Sequence, residues 1–289
     1  MNTSAERPDL LLFPKFEYLN QTPPWPVEAL IDHAERCGFD GIEVMIRETS
    51  WCREEDLPRS LPAFVRAVRA RGLKAYTATT DWQHEQIARL DDAYRLFADE
   101  GIEKVRVTVQ WYRGAGAWRE DFDRCRRSVA LLEKAGRKHG VQALIQTHGA
   151  AMVFSPAVGH FLLHDIDPAA VSIHYDPGNM MHQEGWTDPP KAIDLLGAHL
   201  GYVGMKSCGW FRVPDPTRGQ RLTWRREWTR LEEGCIDWPL IVHELARVGY
   251  AGPVCTHHFY EHSMESLIEG VQADAAYARR LLDEAYGAA

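Results

Sequence analysis

Residues 121–148 read DFDRCRRSVALLEKAGRKHGVQALIQTH. Phe122, Cys125, Val129 and Leu132 recur at i, i+3, i+7 and i+10, which places them on one stripe of an α-helix and leaves Arg and Lys on the other. Gly140 follows where a helix closes on a left-handed residue. From Val141 the pattern changes to a short apolar run that ends on polar side chains, Gln146, Thr147 and His148. A helix feeding a buried strand with a polar far end is one unit of an α/β fold.

The same unit recurs in both directions. Strand candidates begin at Leu10, Gly41, Leu73, Lys104, Val141, Val171, Gly201 and Gly252, spaced 31, 32, 31, 37, 30, 30 and 51 residues apart. Gly38, Gly72, Gly101, Gly140 and Gly249 close helical stretches before the next strand. Parallel neighbours need crossovers of this size, and eight units close a (β/α)₈ TIM barrel, here a single domain over residues 1–289. An open doubly wound sheet is the alternative, disfavoured by the lack of a glycine-rich phosphate fingerprint. The 51-residue interval marks a long loop at about 208–237 after strand seven, carrying Trp210, Phe211, Trp224 and Trp228 among arginines. Such a loop on the active face is read either as a substrate lid or as packing on the rim or a subunit interface.

Charge and composition exclude other classes. The 289 residues carry 33 Lys+Arg against 41 Asp+Glu, a formal net charge of −8, and no basic block that would replace counterions on nucleic acid. Six cysteines without a C-x-x-C pair speak against a disulfide scaffold or zinc ribbon and for a reducing, cytoplasmic setting. The N-terminus does not read as a signal peptide. The uncharged stretch from His139 to His164 is broken by His, Gln, Gly and Pro156, so no membrane span is expected.

In a parallel barrel, chemistry collects at the C-terminal ends of strands. Those ends hold Glu43 and Arg47; Thr79, Thr80 and Asp81; Gln110 and Trp111; Gln146 and His148; His174, Asp176, Asn179 and His182; Lys206; and His257 and His258. Polar groups on strands that otherwise read as buried cost free energy unless paired or liganded. Any one strand histidine is more often structural than a ligand; the group together points to a polar site. Its mixture of His, Asp and neutral oxygen donors suits a divalent metal, of the Mn, Co, Zn, Fe or Mg class.

Six segments carry a family resemblance: CGFDGIEV (37–44), LIQTHGA (144–150), HYDPGNMMHQEG (174–185), GYVGMKSCGW (201–210), LEEGCIDW (231–238) and GYAGPVCTHHFY (249–260). In this order, over most of the chain, they resemble the xylose isomerase-like TIM-barrel superfamily of sugar-phosphate isomerase/epimerase type, which also includes inosose dehydratases. The resemblance implies a divalent metal held by a Glu ending strand five, an Asp on strand six, a His on strand seven and a Glu on strand eight. Here those positions read Gln146, Asp176, Gly204 and His257. The implied ligands are therefore Gln146, Asp176 and His257, with one of four usual residues unchanged, while the Lys of the strand-seven pattern is kept as Lys206.

The substitutions alter the implied chemistry. In the epimerases two glutamates move a proton on either face of the carbon beside a carbonyl, and Gln146 cannot accept one. The resemblance then implies a carbohydrate- or polyol-active isomerase or epimerase-type enzyme in which His148 or His258 serves as base and Lys206 steadies an oxyanion. Glu43, Trp111, Asn179, His182 and Trp210 are the substrate-binding candidates; a structural hydrogen bond is the alternative reading for Glu43, and rim packing or a dimer contact the alternative for Trp111. A lyase acting by β-elimination on a keto-sugar or keto-glycoside, or by inosose-type dehydration, is one alternative. A non-catalytic barrel binding a sugar or a partner is another. The expected partner is a small carbohydrate or polyol, without nucleic acid or membrane, and the chain is compatible with a homo-oligomer or a small partner subunit.

Overall fold

The computed structural model describes residues 6–15, 24–183, 185, 187–217, 219, 221–260 and 264–287. Among these residues eleven strand segments occur in chain order: β1 (Leu10–Leu12), β2 (Gly41–Ile42), β3 (Val44–Met45), β4 (Thr77–Thr79), β5 (Lys104–Val107), β6 (Gln142–Gln146), β7 (Val171–Tyr175), β8 (Leu200–Met205), β9 (Ser207–Pro214), β10 (Leu222–Thr229) and β11 (Val254–Thr256). Nine of them form one parallel sheet in the order β2-β1-β11-β8-β7-β6-β5-β4-β3. Its two ends are halves of one stave interrupted at Glu43: Gly41 and Ile42 pair with β1, whereas Val44 and Met45 pair with β4. The change of partner closes the cylinder, so nine segments make eight staves, and all eight expected strands are present. Closure demands a close approach at Gly41, where a Cβ would stand 2.4 Å from the Lys74 carbonyl oxygen.

Among the described residues ten α-helices surround the barrel: α1 (Val27–Cys37), α2 (Leu57–Ala70), α3 (His84–Ile87), α4 (Asp91–Asp99), α5 (Trp118–His139), α6 (Pro156–Leu163), α7 (Pro177–Gln183), α8 (Pro189–Leu196), α9 (Trp238–Arg247) and α10 (Met264–Gly287). In α5 the stripe read from sequence is the inward one: Cys125, Val129 and Leu132 are buried, and burying a leucine side chain contributes about 2 kcal/mol. The helix ends at Gly140, whose φ of 73° lets its N–H reach the Gly136 carbonyl. The apolar core lies between the staves and this helical layer. Among the described residues no helix is long and apolar enough to cross a membrane.

The segment expected as a long loop at about 208–237 is different. β9 and β10 pair antiparallel from Ser207–Thr229 to Pro214–Leu222, forming a hairpin that stands off the barrel rim. Its strands are rich in aromatic and β-compatible residues, Trp210, Phe211, Val213, Thr223, Trp224 and Trp228, and the intervening stretch from Asp215 contains proline and glycine suited to a turn. The hairpin base is anchored by the Trp210 indole N–H to the Met181 carbonyl at 2.9 Å and by Arg226 to the His182 carbonyl at 2.8 Å.

Candidate active site

The staves bring their C-terminal ends to one level. Gln146 on β6 lies in register with His174 on β7, Tyr175 with Val203 on β8, and Met205 with Thr256 on β11. Alternate residues point to opposite sides of a strand, so His174, Gly204, Lys206 and His257 fall on the interior side together. Asp176, one residue beyond β7, is their hub. Its Oδ2 accepts from Gln146 Nε2 at 2.6 Å, is 3.0 Å from Lys206 Nζ and 3.8 Å from His257 Nδ1. Its Oδ1 takes the Asn179 backbone N–H at 2.8 Å at the start of α7, and Asn179 Nδ2 donates to the Thr147 carbonyl at 3.1 Å.

Gly204 explains how an imidazole returns to this cluster. A Cβ at residue 204 would lie 2.5 Å from His174 Nε2, 3.2 Å from His257 Cε1 and 3.3 Å from Asp176 Oδ2. The space above Gly204 is thus filled from the next stave by the His174 ring, which packs on Tyr202 with centroids 4.3 Å apart. His174, Asp176 and His257 each offer a donor atom within 4.8 Å of the others, all three buried. Both ring nitrogens of His174 and both of His257 lack a hydrogen-bond partner.

Above the hub lies a cavity of about 370 Å³. Gln146, Lys206, His257 and Asn179 form its floor, Phe13, Trp228 and Phe259 one wall, Trp111 and His148 another, and Arg47, Asp81 and Arg106 a third. Lys206 Nζ sits 4.2 Å from the centre of the Phe259 ring, a cation–π contact. Arg47 Nη2 and Arg106 Nη1 meet at Asp81 Oδ1, at 3.0 and 2.9 Å. Larger surface concavities exist, one of about 780 Å³ beside α2 and α4, but none of the buried polar groups at the strand ends lines it. Backbone strain accompanies the site: Val109, a β-branched residue beyond β5, has φ 67°, at a cost of roughly 1–3 kcal/mol.

Burial dominates the electrostatics. It raises the Asp176 carboxyl, opposed by Lys206, and depresses the Lys206 ammonium, opposed by Asp176. His174 and His257 are pushed well below the ordinary imidazole range by burial and neighbouring cations. His148 falls to about 4, from burial first and then from Lys206 and Arg106, so at neutral pH its ring is uncharged. His148 Nδ1 accepts the Ala150 N–H at 3.2 Å, which assigns the ring proton to Nε2 and makes that nitrogen a donor.

Gln146, His148, Asp176, Asn179, Lys206, His257 and Trp111 therefore come together around one cavity and its floor. Four other expected site residues do not. His258 follows His257 and faces the helical layer, with Nε2 3.7 Å from Asp274 Oδ2 on α10. Glu43 does not line the cavity but is buried beneath its floor, accepting from Thr79 Oγ1 at 2.6 Å, with its carboxylate within 4.8 Å of a His257 ring nitrogen and of Cys255 Sγ. Burial raises its carboxyl pKa. The His182 ring stacks behind Trp228 at 4.0 Å, and Trp210 pins the hairpin rather than lining the cavity. Conversely, Arg106 went unread, although KVRVTVQ places it two residues before Thr108 and four before Gln110 on one face of a strand. The sequence places Arg47, Asp81 and His174 at strand ends without marking a role for them.

Comparison with known proteins agrees with this fold. The sequence profile of the xylose isomerase-like TIM barrel family matches residues 31–281. No curated protein matches the sequence. A xylose isomerase-like TIM-barrel protein from Mycobacterium smegmatis, solved in complex with magnesium, is 17% identical, with a TM-score of 0.69 over 97% of this chain and 98% of that one. D-psicose 3-epimerase from Clostridium cellulolyticum H10, solved with D-tagatose, is 16% identical, with a TM-score of 0.70 over 95% and 99%. The probable 3-DHS dehydratase AsbF of petrobactin synthesis from Bacillus anthracis is 15% identical, with a TM-score of 0.70 over 94% and 98%. At these identities the likeness is one of fold. The chain belongs to the xylose isomerase-like TIM-barrel family.

Proposed function

We propose that the protein is an enzyme that removes a proton from the carbon beside a carbonyl in a small, hydroxylated, carbohydrate-like substrate. The observation that carries this reading is the convergence of Gln146, Lys206 and His257 on one oxygen of buried Asp176 below a ligand-sized cavity.

A divalent ion fits the floor. Four buried imidazole nitrogens without partners, beside a carboxylate, form a donor set of the kind that holds first-row metals, and His174, Asp176 and His257 would be its ligands, with the Gln146 amide adjacent. Bound there, such an ion would polarise the carbonyl oxygen. The chain's own groups supply the rest. His148, neutral and with its proton on Nε2, donates a hydrogen bond to the carbonyl or the oxyanion that develops from it. Lys206 Nζ, the one amine among the described lining residues, takes the proton from carbon as the free amine after its own proton has passed to Asp176 Oδ2, 3.0 Å away. Trp111, Trp228 and Phe259 exclude water and face the apolar side of the substrate.

Among the described residues, two carboxylates on opposite walls, as a two-base epimerisation needs, are not part of this cavity. The one carboxylate among the described lining residues, Asp81, is engaged by two arginines. One-sided isomerisation is therefore favoured. A β-elimination lyase is the second reading, supported by the same one-sided arrangement, in which the returned proton goes to a departing hydroxyl instead of carbon. The test is proton NMR in D₂O with Mn²⁺ and a panel of ketoses and keto sugar acids. Exchange of the hydrogen beside the carbonyl by wild type and not by Asp176→Asn is expected; no exchange with any compound would overturn the reading.

A further inference from the structure

We propose a second metal seat inside the barrel beneath the cavity floor, for a thiophilic divalent ion of the zinc class, with Glu43, Cys255 and His257 as its ligands. The strand pattern assembles it. Cys255 and His257 are alternate residues on and just beyond β11, so both turn to the barrel interior, whereas His258 turns to the helical layer. Glu43 occupies the interruption between β2 and β3, where the stave changes partner. One donor atom of each residue lies within 4.8 Å of the other two, and all three residues are buried. Cys255 packs there in an inner apolar cluster with Leu11, Met45, Leu144 and Tyr202.

The separations suit one ion. Glu43 Oε2 is 3.7 Å from Cys255 Sγ, and an oxygen and a sulfur on one tetrahedral zinc, at bond lengths near 2.0 and 2.3 Å, stand roughly 3.5 Å apart. Glu43 Oε1 is fixed by the Thr79 hydroxyl, which leaves Oε2 as the ligand atom. Both His257 nitrogens are buried without a hydrogen-bond partner among the described residues, so the imidazole brings a free donor. An apolar interior makes such groups costly as they stand. Burial favours the protonated carboxyl of Glu43 and the protonated thiol of Cys255. A dication reverses that order, taking a carboxylate and a thiolate as ligands while both protons leave to solvent. Sulfur also selects the ion. The nitrogen and oxygen donors of His174, Asp176 and His257 suit Mn²⁺ or Co²⁺, whereas a thiolate favours softer Zn²⁺ and its congener Cd²⁺. His257 belongs to both sets, and a neutral imidazole has one free lone pair, so it holds one ion at a time. The seats are alternatives. On the reading of the outer seat given above, a thiophilic ion below withdraws His257 and suppresses the chemistry that harder ions support.

The test is Cd²⁺ titration of the metal-stripped, full-length protein, followed by the ultraviolet sulfur-to-cadmium charge-transfer band, which nitrogen and oxygen ligands do not produce. Wild type is expected to develop the band with one equivalent. Cys255→Ser and Cys255→Ala, two small changes at one position, each abolish it and keep the Co²⁺ ligand-field bands of the outer seat. Asp176→Asn keeps the cadmium band. Glu43→Gln weakens Cd²⁺ binding at least about tenfold. Circular dichroism checks that each variant is folded. Absence of the band in wild type overturns the proposal. A band that survives both Cys255 variants comes from another of the six cysteines and overturns it too. Loss of the band in Asp176→Asn overturns the separate seat, and unchanged affinity in Glu43→Gln overturns that ligand. Binding is read without turnover, so D₂O exchange without a cadmium band strikes the inner seat alone. A cadmium band without any exchange strikes the reading of the cavity alone.

Discussion

Lys206 Nζ stands 3.0 Å from Asp176 Oδ2 with both side chains buried, at the point where β7 and β8 deliver their last residues to the barrel interior. Burial works against both charges, depressing the lysine and raising the aspartate, and each group opposes that shift in the other. The relationship ties stability to chemistry, since the groups that would act on substrate also neutralise each other in its absence.

Lys206→Met is expected to destabilise the fold by about 3–5 kcal/mol, because it leaves the Asp176 carboxylate buried without its cation. The double variant Lys206→Met with Asp176→Asn carries no unpaired charge and should recover part of the loss. Urea unfolding of the three proteins measures the difference; equal stability of single and double variants would contradict the pairing.

His258→Ala is expected to affect stability and not chemistry. The ring is buried against Tyr260 and Asp274 in the helical layer, so truncation opens a cavity costing about 2–4 kcal/mol. The rate of hydrogen exchange into substrate should be that of wild type once both proteins are shown to be folded by circular dichroism. A selective loss of rate would return His258 to the site.

His33, on α1 and buried beside Trp25, has its pKa lowered to about 4 by burial and then by Arg36. The folded state therefore prefers the neutral ring, while the unfolded chain protonates near 6.5. Above the unfolded value both states are neutral and the stabilisation is complete. As pH falls through that value toward about 4, the unfolded state alone gains a proton and the stabilisation is lost. Relative to His33→Gln, wild type should lose about 2 kcal/mol between pH 7.5 and pH 4.5, from the shift at about 1.4 kcal/mol per unit. Denaturant titrations at the two pH values check the sign.

Much of this was legible in the chain. The 30- to 37-residue spacing places most of the staves, and Gly38, Gly72, Gly101, Gly140 and Gly249 all adopt the left-handed φ expected of helix ends. The hairpin over Ser207–Thr229 was not read, because aromatic residues among arginines suit a mobile lid and a pair of exposed strands equally well. His257 and His258 could not both face inward, and the two-residue period of a strand already says so. Other features lie beyond a single strand. That His174 occupies the space over Gly204 depends on the register between β7 and β8, and the Arg47–Asp81–Arg106 contact joins side chains from three different staves. Such relationships are set by sheet order and shear rather than by local pattern.

The most direct test of the central claim is titration of the metal-stripped protein with Co²⁺, followed by visible absorption. The donor set of His174, Asp176 and His257 predicts one equivalent bound with ligand-field bands, an affinity at least about tenfold weaker in His174→Ala, and loss of the bands in Asp176→Asn. Absence of binding by wild type, or the same spectrum and affinity in all three proteins, would contradict it.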